Sequence, residues 1–215
     1  MTTIEPALDL ARILDLRPTQ ITVGMHEVAE RRRRWHEKDT KKRKTYLGTH
    51  AVPVIRGWKD RLYVVDHHHL ALALHEEGVK EILIGVVADL ARLDEDSFWF
   101  TMENRGWMHL FDDKGRRRSP SQLPSSVDKL IDDPWRSLAG ELRRVGGFAK
   151  DTTPFSEFLW ADFLRRRVKR KRIEKNFSAA LEEALRLAKG ADADYLPGWC
   201  GASPGAAEPG YPPKR

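Results

Sequence analysis

Hydrophobic positions in the first half of the chain cluster in short β-branched runs, whereas in the second half they recur at helical spacing. Ala51 to Ile55 and Leu62-Tyr63-Val64-Val65 read as two strands, and Gly57-Trp58-Lys59-Asp60 between them supplies the turn of a hairpin. Glu81 to Val87 is a third strand, and its unbroken apolar run (Ile82, Leu83, Ile84, Val86, Val87) predicts burial. Upstream, residues 10–23 read as two extended pieces around Arg17-Pro18-Thr19-Gln20, because Pro18 stops any helix running through. A helix is predicted over residues 25–39, with Met25, Val28 and Trp35 on one side and Arg31 to Arg34 wrapping the rest. The Lys/Arg-rich segment 38–46 reads as a solvated loop. Asp66 ends the second strand as an N-cap, the helix runs from His67 to Glu77, and Gly78 stops it.

Farther on, Asp94 to Asn104 is a helix candidate and Asp112 to Pro124 a polar loop. Pro134 opens a helix through Val145, since proline suits a first helical turn, and Gly146-Gly147 ends it. Pro154 to Lys171 reads as one long helix and Phe177 to Ala188 as the last, followed by a loose Gly/Ala/Pro tail from Gly190. Trp99, Phe100, Trp107, Phe155, Phe158, Trp160 and Phe163 fall at helical spacings and read mainly as core. The pattern predicts an α/β (α+β) first part, a mostly helical second part and a flexible tail over 191–215. No internal repeat is visible.

Composition narrows the classes. With 40% hydrophobic residues in 215, the chain can bury a core and is not of the disordered class. The net charge of +6 favours polyanionic partners, nucleotide or nucleic acid. Cys200 is the one cysteine, so no intrachain disulfide can form and a reducing compartment is expected. No basic flank precedes an apolar stretch at the N-terminus, and no run approaches the ~18 apolar residues that span a bilayer. The expectation is therefore a cytoplasmic protein without a membrane segment. A Gly-x-x-x-x-Gly-Lys-Ser/Thr loop is absent, which excludes a P-loop enzyme, and no helix-turn-helix is evident.

Candidate chemistry concentrates at Asp66-His67-His68-His69. A strand that hands over to a helix presents unpaired N–H groups and a positive dipole end, a natural phosphate seat. Imidazoles there add donors that can become cationic near neutral pH. Successive helical residues diverge by roughly 100°, so the three histidines cannot share one site. Asp66 could cap the helix, orient a histidine or hold a metal ion. A DHH-type phosphoesterase is not supported, because Asp9, Asp15, Asp39 and Asp60 do not form the strand-end Asp-x-Asp pattern that such enzymes need for metals.

Three segments carry a resemblance to the ParB/sulfiredoxin superfamily, and more closely to its ParB-like nuclease branch. These are Leu16-Arg17-Pro18-Thr19-Gln20 with Val23-Gly24, Val65-Asp66-His67-His68-His69-Leu70-Ala71-Leu72-Ala73-Leu74, and Glu103-Asn104. Relatives often read Asp-Gly-His-His-Arg at the second; here the glycine is His67 and the arginine Leu70, and Trp107 stands where an arginine follows Glu103-Asn104. Asp133-Pro134-Trp135-Arg136-Ser137-Leu138-Ala139-Gly140 and Pro154-Phe155-Ser156-Glu157-Phe158 resemble the extension of the nuclease branch.

The resemblance implies a mixed-sheet domain over residues 1–107 with a mostly helical extension packed on it over 108–190. It also implies nucleotide binding at the signature turn and chemistry on CTP, on ATP or ADP, or on a nucleic-acid phosphodiester. It implies Glu27 (or Glu30) as base, with Asp66, His68 and His69 catalytic. Phosphate would lie against His67, His68, His69, Glu103, Asn104 and Arg105, and Mg²⁺, a hard ion that favours oxygen ligands, on Asp66 and Glu103. Arg116, Arg117 and Arg118 are the loop residues best placed to grip a polyanion. A nuclease or phosphoryl-transfer enzyme, an ATP/ADP-dependent small-molecule kinase, and a non-catalytic DNA- or nucleotide-binding module are the readings carried forward. A thiol-repair role is disfavoured, since no cysteine accompanies the turn.

Overall fold

A computed structural model describes residues 8–201. The strands are β1 (Leu8–Arg12), β2 (Arg17–Pro18), β3 (Thr22–Val23), β4 (Val52–Gly57), β5 (Arg61–Val64), β6 (Glu81–Asp89) and β7 (Ile131–Asp132). The helices are α1 (Met25–His36), α2 (Thr40–Thr49), α3 (His68–Glu76), α4 (Glu95–Asn104), α5 (Pro134–Arg144), α6 (Ser156–Arg165), α7 (Arg170–Lys175) and α8 (Phe177–Lys189). The chain divides into two compact units after Ser137.

The first unit is built on a mixed five-stranded sheet in the order β1-β6-β4-β5-β2. The β4–β5 hairpin is antiparallel, as its turn residues predict, while β6 joins β4 in parallel. Alternation along the hairpin sends side chains to two cores. Val52, Val54 and Val64 pack with Val28 of α1 and Leu70 and Leu74 of α3. Ile55 and Tyr63 face Phe98 and Met102 of α4. At the far end of α3, Gly78 takes φ +78 at the C′ position, where a side chain would be strained.

Several expectations are corrected. The segment 38–46 is largely helical: Asp39 caps α2 by accepting from the Lys42 N–H at 2.8 Å, although no residue of α2 is fully buried. Residues 13–15 form a 3₁₀ turn between β1 and β2. Val87 is half exposed, so β6 is buried on one face and open toward its end. The boundary expected at 107 lies within the first unit, because β7 pairs with β3 and the His109 N–H donates to the Thr19 carbonyl at 2.8 Å.

In the second unit, the long helix expected over 154–171 is two helices, α6 and α7. Seven of the eight residues from Arg165 to Arg172 are Lys or Arg. Like charges three and four apart oppose a continuous helix, and the break lets Val168 turn inward, where it is buried. Trp160 is buried, stacks on Phe148 at 4.4 Å and donates its indole N–H to the Pro197 carbonyl at 2.9 Å. The described part of the tail is thus packed, with Ala193 and Leu196 buried. The rest of the expected flexible segment, residues 202–215, lies outside the described residues.

Candidate functional site

The signature turn sits where β5 ends. Asp66 is exposed, and its Oδ1 accepts from the adjacent His67 N–H at 2.6 Å. His67 occupies the N-cap position of α3 with φ 66, the left-handed region. This corrects the expectation that Asp66 caps the helix. It also explains the glycine that relatives carry there: the turn needs positive φ, and histidine is among the side chains that tolerate it best. The His67 ring lies 4.0 Å from the Asp66 carboxylate and remains partly exposed.

His68 and His69 point into the protein. His68 Nε2 accepts from the Thr19 N–H at 3.1 Å, and His69 Nε2 accepts from the Gly24 N–H at 3.0 Å. Thr19 is further tied by its hydroxyl, which donates to the Val64 carbonyl at 2.7 Å. Both rings are buried, and burial lowers their pKa values to about 3. Each ring is therefore a neutral imidazole with its Nε2 lone pair engaged and its proton on Nδ1. The expected role as phosphate donors gives way to a positioning one: the pair clamps both ends of segment 19–24, which leads into α1.

What that clamp positions is Glu27. Arg31 Nη2 lies 2.8 Å from one carboxylate oxygen; His69 Nε2 and Arg136 Nη1 lie 3.6 and 3.5 Å from the other. Arg136 stands on the first turn of α5 and is buried. The starts of α1 and α5 are interlocked. The Met25 N–H donates to Asp132 Oδ1 at 3.0 Å and the His26 N–H to Ser137 Oγ at 3.1 Å. Asp133 accepts from the Trp135 and Arg136 N–H groups at 3.0 and 3.2 Å. Gly24 makes this approach possible, since a Cβ there would lie 2.6 Å from Ser137 Oγ.

Glu27 is 22% exposed. Burial alone would raise its pKa, but the charges of His69, which takes up a proton only in strong acid, and of Arg136 and Arg31 outweigh burial and hold it at about 2. Glu27 was legible as a first-turn carboxylate. Nothing local in the sequence assigns Arg31 or Arg136 to this site. Arg136 had one local cue, the Asp133-Pro134 helix start, which places it on a first turn but does not tell what it faces.

The remaining candidates find partners elsewhere. Glu103 is ion-paired with Arg117, Asn104 donates to the Phe100 carbonyl at 2.8 Å, and Arg105 stacks on Trp107 at 5.6 Å. Arg118 grips Asp112 at 2.6 Å, and Arg116 is exposed. Glu30 is held by Arg33 and Arg34. Among the described residues no three His, Cys, Asp or Glu side chains are grouped to hold a metal ion. Asp66 and Glu103, the expected Mg²⁺ ligands, belong to no such group of three, although Mg²⁺ that keeps its waters can be held by one or two carboxylates.

A mixed sheet whose central hairpin ends in an Asp-His-His-His turn, with the following helix clamping the segment before α1, defines a ParB-like domain. The family described as "Putative ParB-like nuclease" matches residues 10–166, and the chain belongs to it. The crystal structure of protein Atu1540 from Agrobacterium tumefaciens is similar at 49% sequence identity, covering 93% of this chain and 100% of that one with a TM-score of 0.87. No curated protein matches the chain. No helix among the described residues is long and apolar enough to cross a membrane.

Proposed function

We propose that the chain is a phosphodiester-cleaving enzyme whose working centre is the Glu27 cluster. One observation carries this reading: a half-buried, ionised carboxylate held beside two guanidinium groups where two helix N-termini meet. Arginine is suited to phosphate because its planar donors match the oxygens, and helix N-termini add positive potential. In the resting state Glu27 neutralises these donors. A phosphate that takes Arg31 and Arg136 leaves Glu27 with less positive charge around it, so its proton affinity rises as the substrate docks. Glu27 then accepts the proton of an attacking water, the water oxygen bonds to phosphorus, and the ester P–O bond breaks. The leaving oxygen takes a proton from solvent. No step is routed through Mg²⁺.

The family description supports nucleic acid as substrate, and the basic balance agrees. The second reading, a binding module without catalysis, is favoured by the same low Glu27 pKa, since a carboxylate held at about 2 is a weak base until its partners are drawn away. Turnover separates the two. Wild type and Glu27→Gln are incubated with plasmid, with single-stranded DNA, and with ATP, ADP or CTP, each with Mg²⁺ supplied, alone and with pooled hydroxylated metabolites. Glu27→Gln is expected to slow strand cleavage by about 100-fold or more, the usual contribution of a general base. Cleavage unaffected by Glu27→Gln would reject the assignment. Turnover of ATP or ADP that requires a metabolite would select the kinase reading instead.

A further inference from the structure

A cavity of about 390 Å³ beside Ile13, His75 and Val79 is mostly apolar, and nothing in the structure indicates what would cover it. A smaller one, about 150 Å³, lies among Arg17, Trp58, Arg61 and Trp99. The third, of about 330 Å³, is lined by α1, α2 and α3 and carries more information. Arg31, Arg34 and Lys38 stand along it, Trp35, Tyr46 and His50 give it aromatic walls, and Leu70 and Leu74 add apolar surface. The groove shares Arg31 with the Glu27 cluster.

Its aromatic side is already a partial stack. The Tyr46 and His50 rings lie 3.9 Å apart at 22°, and His50 is exposed. Lys38 Nζ sits 5.1 Å from the Tyr46 ring. The helix that carries Tyr46 is unusual in its economy: α2 has no fully buried residue, and Tyr46 and Leu47 are its partly buried contacts with the core. Residues 31–44 hold nine Lys or Arg against two Asp or Glu. Among the described residues Lys41 and Lys44 make no ion pair, and both are exposed.

We propose that this groove seats a base of single-stranded nucleic acid, which continues the Tyr46–His50 stack while the strand's phosphates run along Arg34, Lys38 and the lysines of α2. Cationic tracks interleaved with stacking rings are how single strands are held without sequence readout. A concave, aromatic-walled groove suits an unstacked base and not a paired one. The basic surface extends beyond the cavity along α2, which fits a strand better than one free nucleotide. The proposal rests on reading the Glu27 cluster as a phosphate site, since Arg31 would present the next phosphate to it.

Binding can be measured apart from cleavage. Fluorescence anisotropy of the full chain is read with a labelled thymidine oligonucleotide of about twelve nucleotides, within the usual span of such sites, with a hairpin duplex, and with a labelled mononucleotide, each at low and raised salt. The single strand is expected to bind best and to weaken steeply with salt. His50→Ala, at an exposed position, is expected to weaken it roughly 5- to 150-fold, the loss of one stacked base. Lys41→Glu with Lys44→Glu should weaken it and flatten the salt dependence, and circular dichroism checks that both variants fold. Single-strand binding unchanged in both variants overturns the proposal, as does equal affinity for duplex or binding of the mononucleotide alone. Groove-dependent binding without turnover leaves the proposal standing and rejects the cleavage reading. Turnover lost in Glu27→Gln with binding indifferent to the groove does the reverse.

Discussion

The Glu27 cluster and the loop around Arg116 to Arg118 are made of the same chemistry, carboxylates against guanidinium groups, yet they are different kinds of object. In the loop, Glu103 and Arg117 meet with 53% and 58% of their side chains exposed. At the cluster, Glu27 and Arg136 are 22% and 7% exposed, and the partners come from α1, α3 and α5. Water screens the first pair, so its charges interact weakly and are easily exchanged. The second is held in a less polar setting, where a missing partner leaves a charge with little compensation. A run of basic residues in a loop advertises itself in the sequence and then largely neutralises itself. The working cluster is assembled from positions that are unremarkable one at a time.

The sharpest way to test that contrast is acid. His68 and His69 are held neutral with pKa values lowered to about 3 from 6.5. Below pH 6.5 the unfolded chain therefore binds protons that the folded one refuses. Stability is complete above pH 6.5 and falls as pH drops from there toward 3. Glu27, lowered to about 2 from 4.5, adds a second loss as pH falls below 4.5. Urea midpoints across this range should record a decline on the order of a few kcal/mol, and His69→Gln should make it shallower. A flat profile between pH 6.5 and 4.5 would mean that the imidazoles are not locked to Thr19 and Gly24.

The next effect is steric. Gly24 lets the starts of α1 and α5 approach, and Gly24→Ala would press a methyl group onto Ser137. A loss of roughly 1–3 kcal/mol is expected from such overpacking, together with reduced turnover, because the partners of Glu27 shift with the interface. Gly24→Ala at wild-type stability, read by thermal unfolding, would show that the interlock is loose and that the cluster is not rigid.

These two tests fall on features of unequal legibility. Strands β4, β5 and β6 and helices α3, α4 and α5 follow from local periodicity and turn chemistry, whereas β7 carries no such signal and the ParB-like family shows only as a resemblance at the Asp66-His67-His68-His69 motif. Local pattern could not show that His68 and His69 are acceptors for backbone N–H groups 49 and 45 residues away. It could not show that Arg136 reaches Glu27 across 109 residues either. Periodicity tells which face of a helix is apolar but not which buried polar atom lies opposite. The sequence shows that three successive imidazoles cannot share one site but not which of them turn inward; the αL turn at His67 directs the next two into the protein. Helix α2 reads as a loop for a related reason: seven-tenths of it is solvated, and its composition then resembles that of a loop.

The smallest effect belongs to the loop. Arg117→Ala and Glu103→Ala, singly and together, form a double-mutant cycle on an exposed pair. The coupling expected is about 0.2–1 kcal/mol, lower at high salt, because two solvated side chains lose rotamer freedom to meet and gain little from a screened attraction. Turnover should be unchanged in all three variants if cleavage takes place at Glu27. Their effect on strand binding should be confined to the change in net charge, so that Glu103→Ala tightens and Arg117→Ala weakens it modestly, both vanishing as salt rises. A coupling well above 1 kcal/mol, or turnover abolished by Arg117→Ala, would invert the comparison. The loop would then hold the phosphate, and the Glu27 cluster would be an ion-pair network that holds α1, α3 and α5 in register.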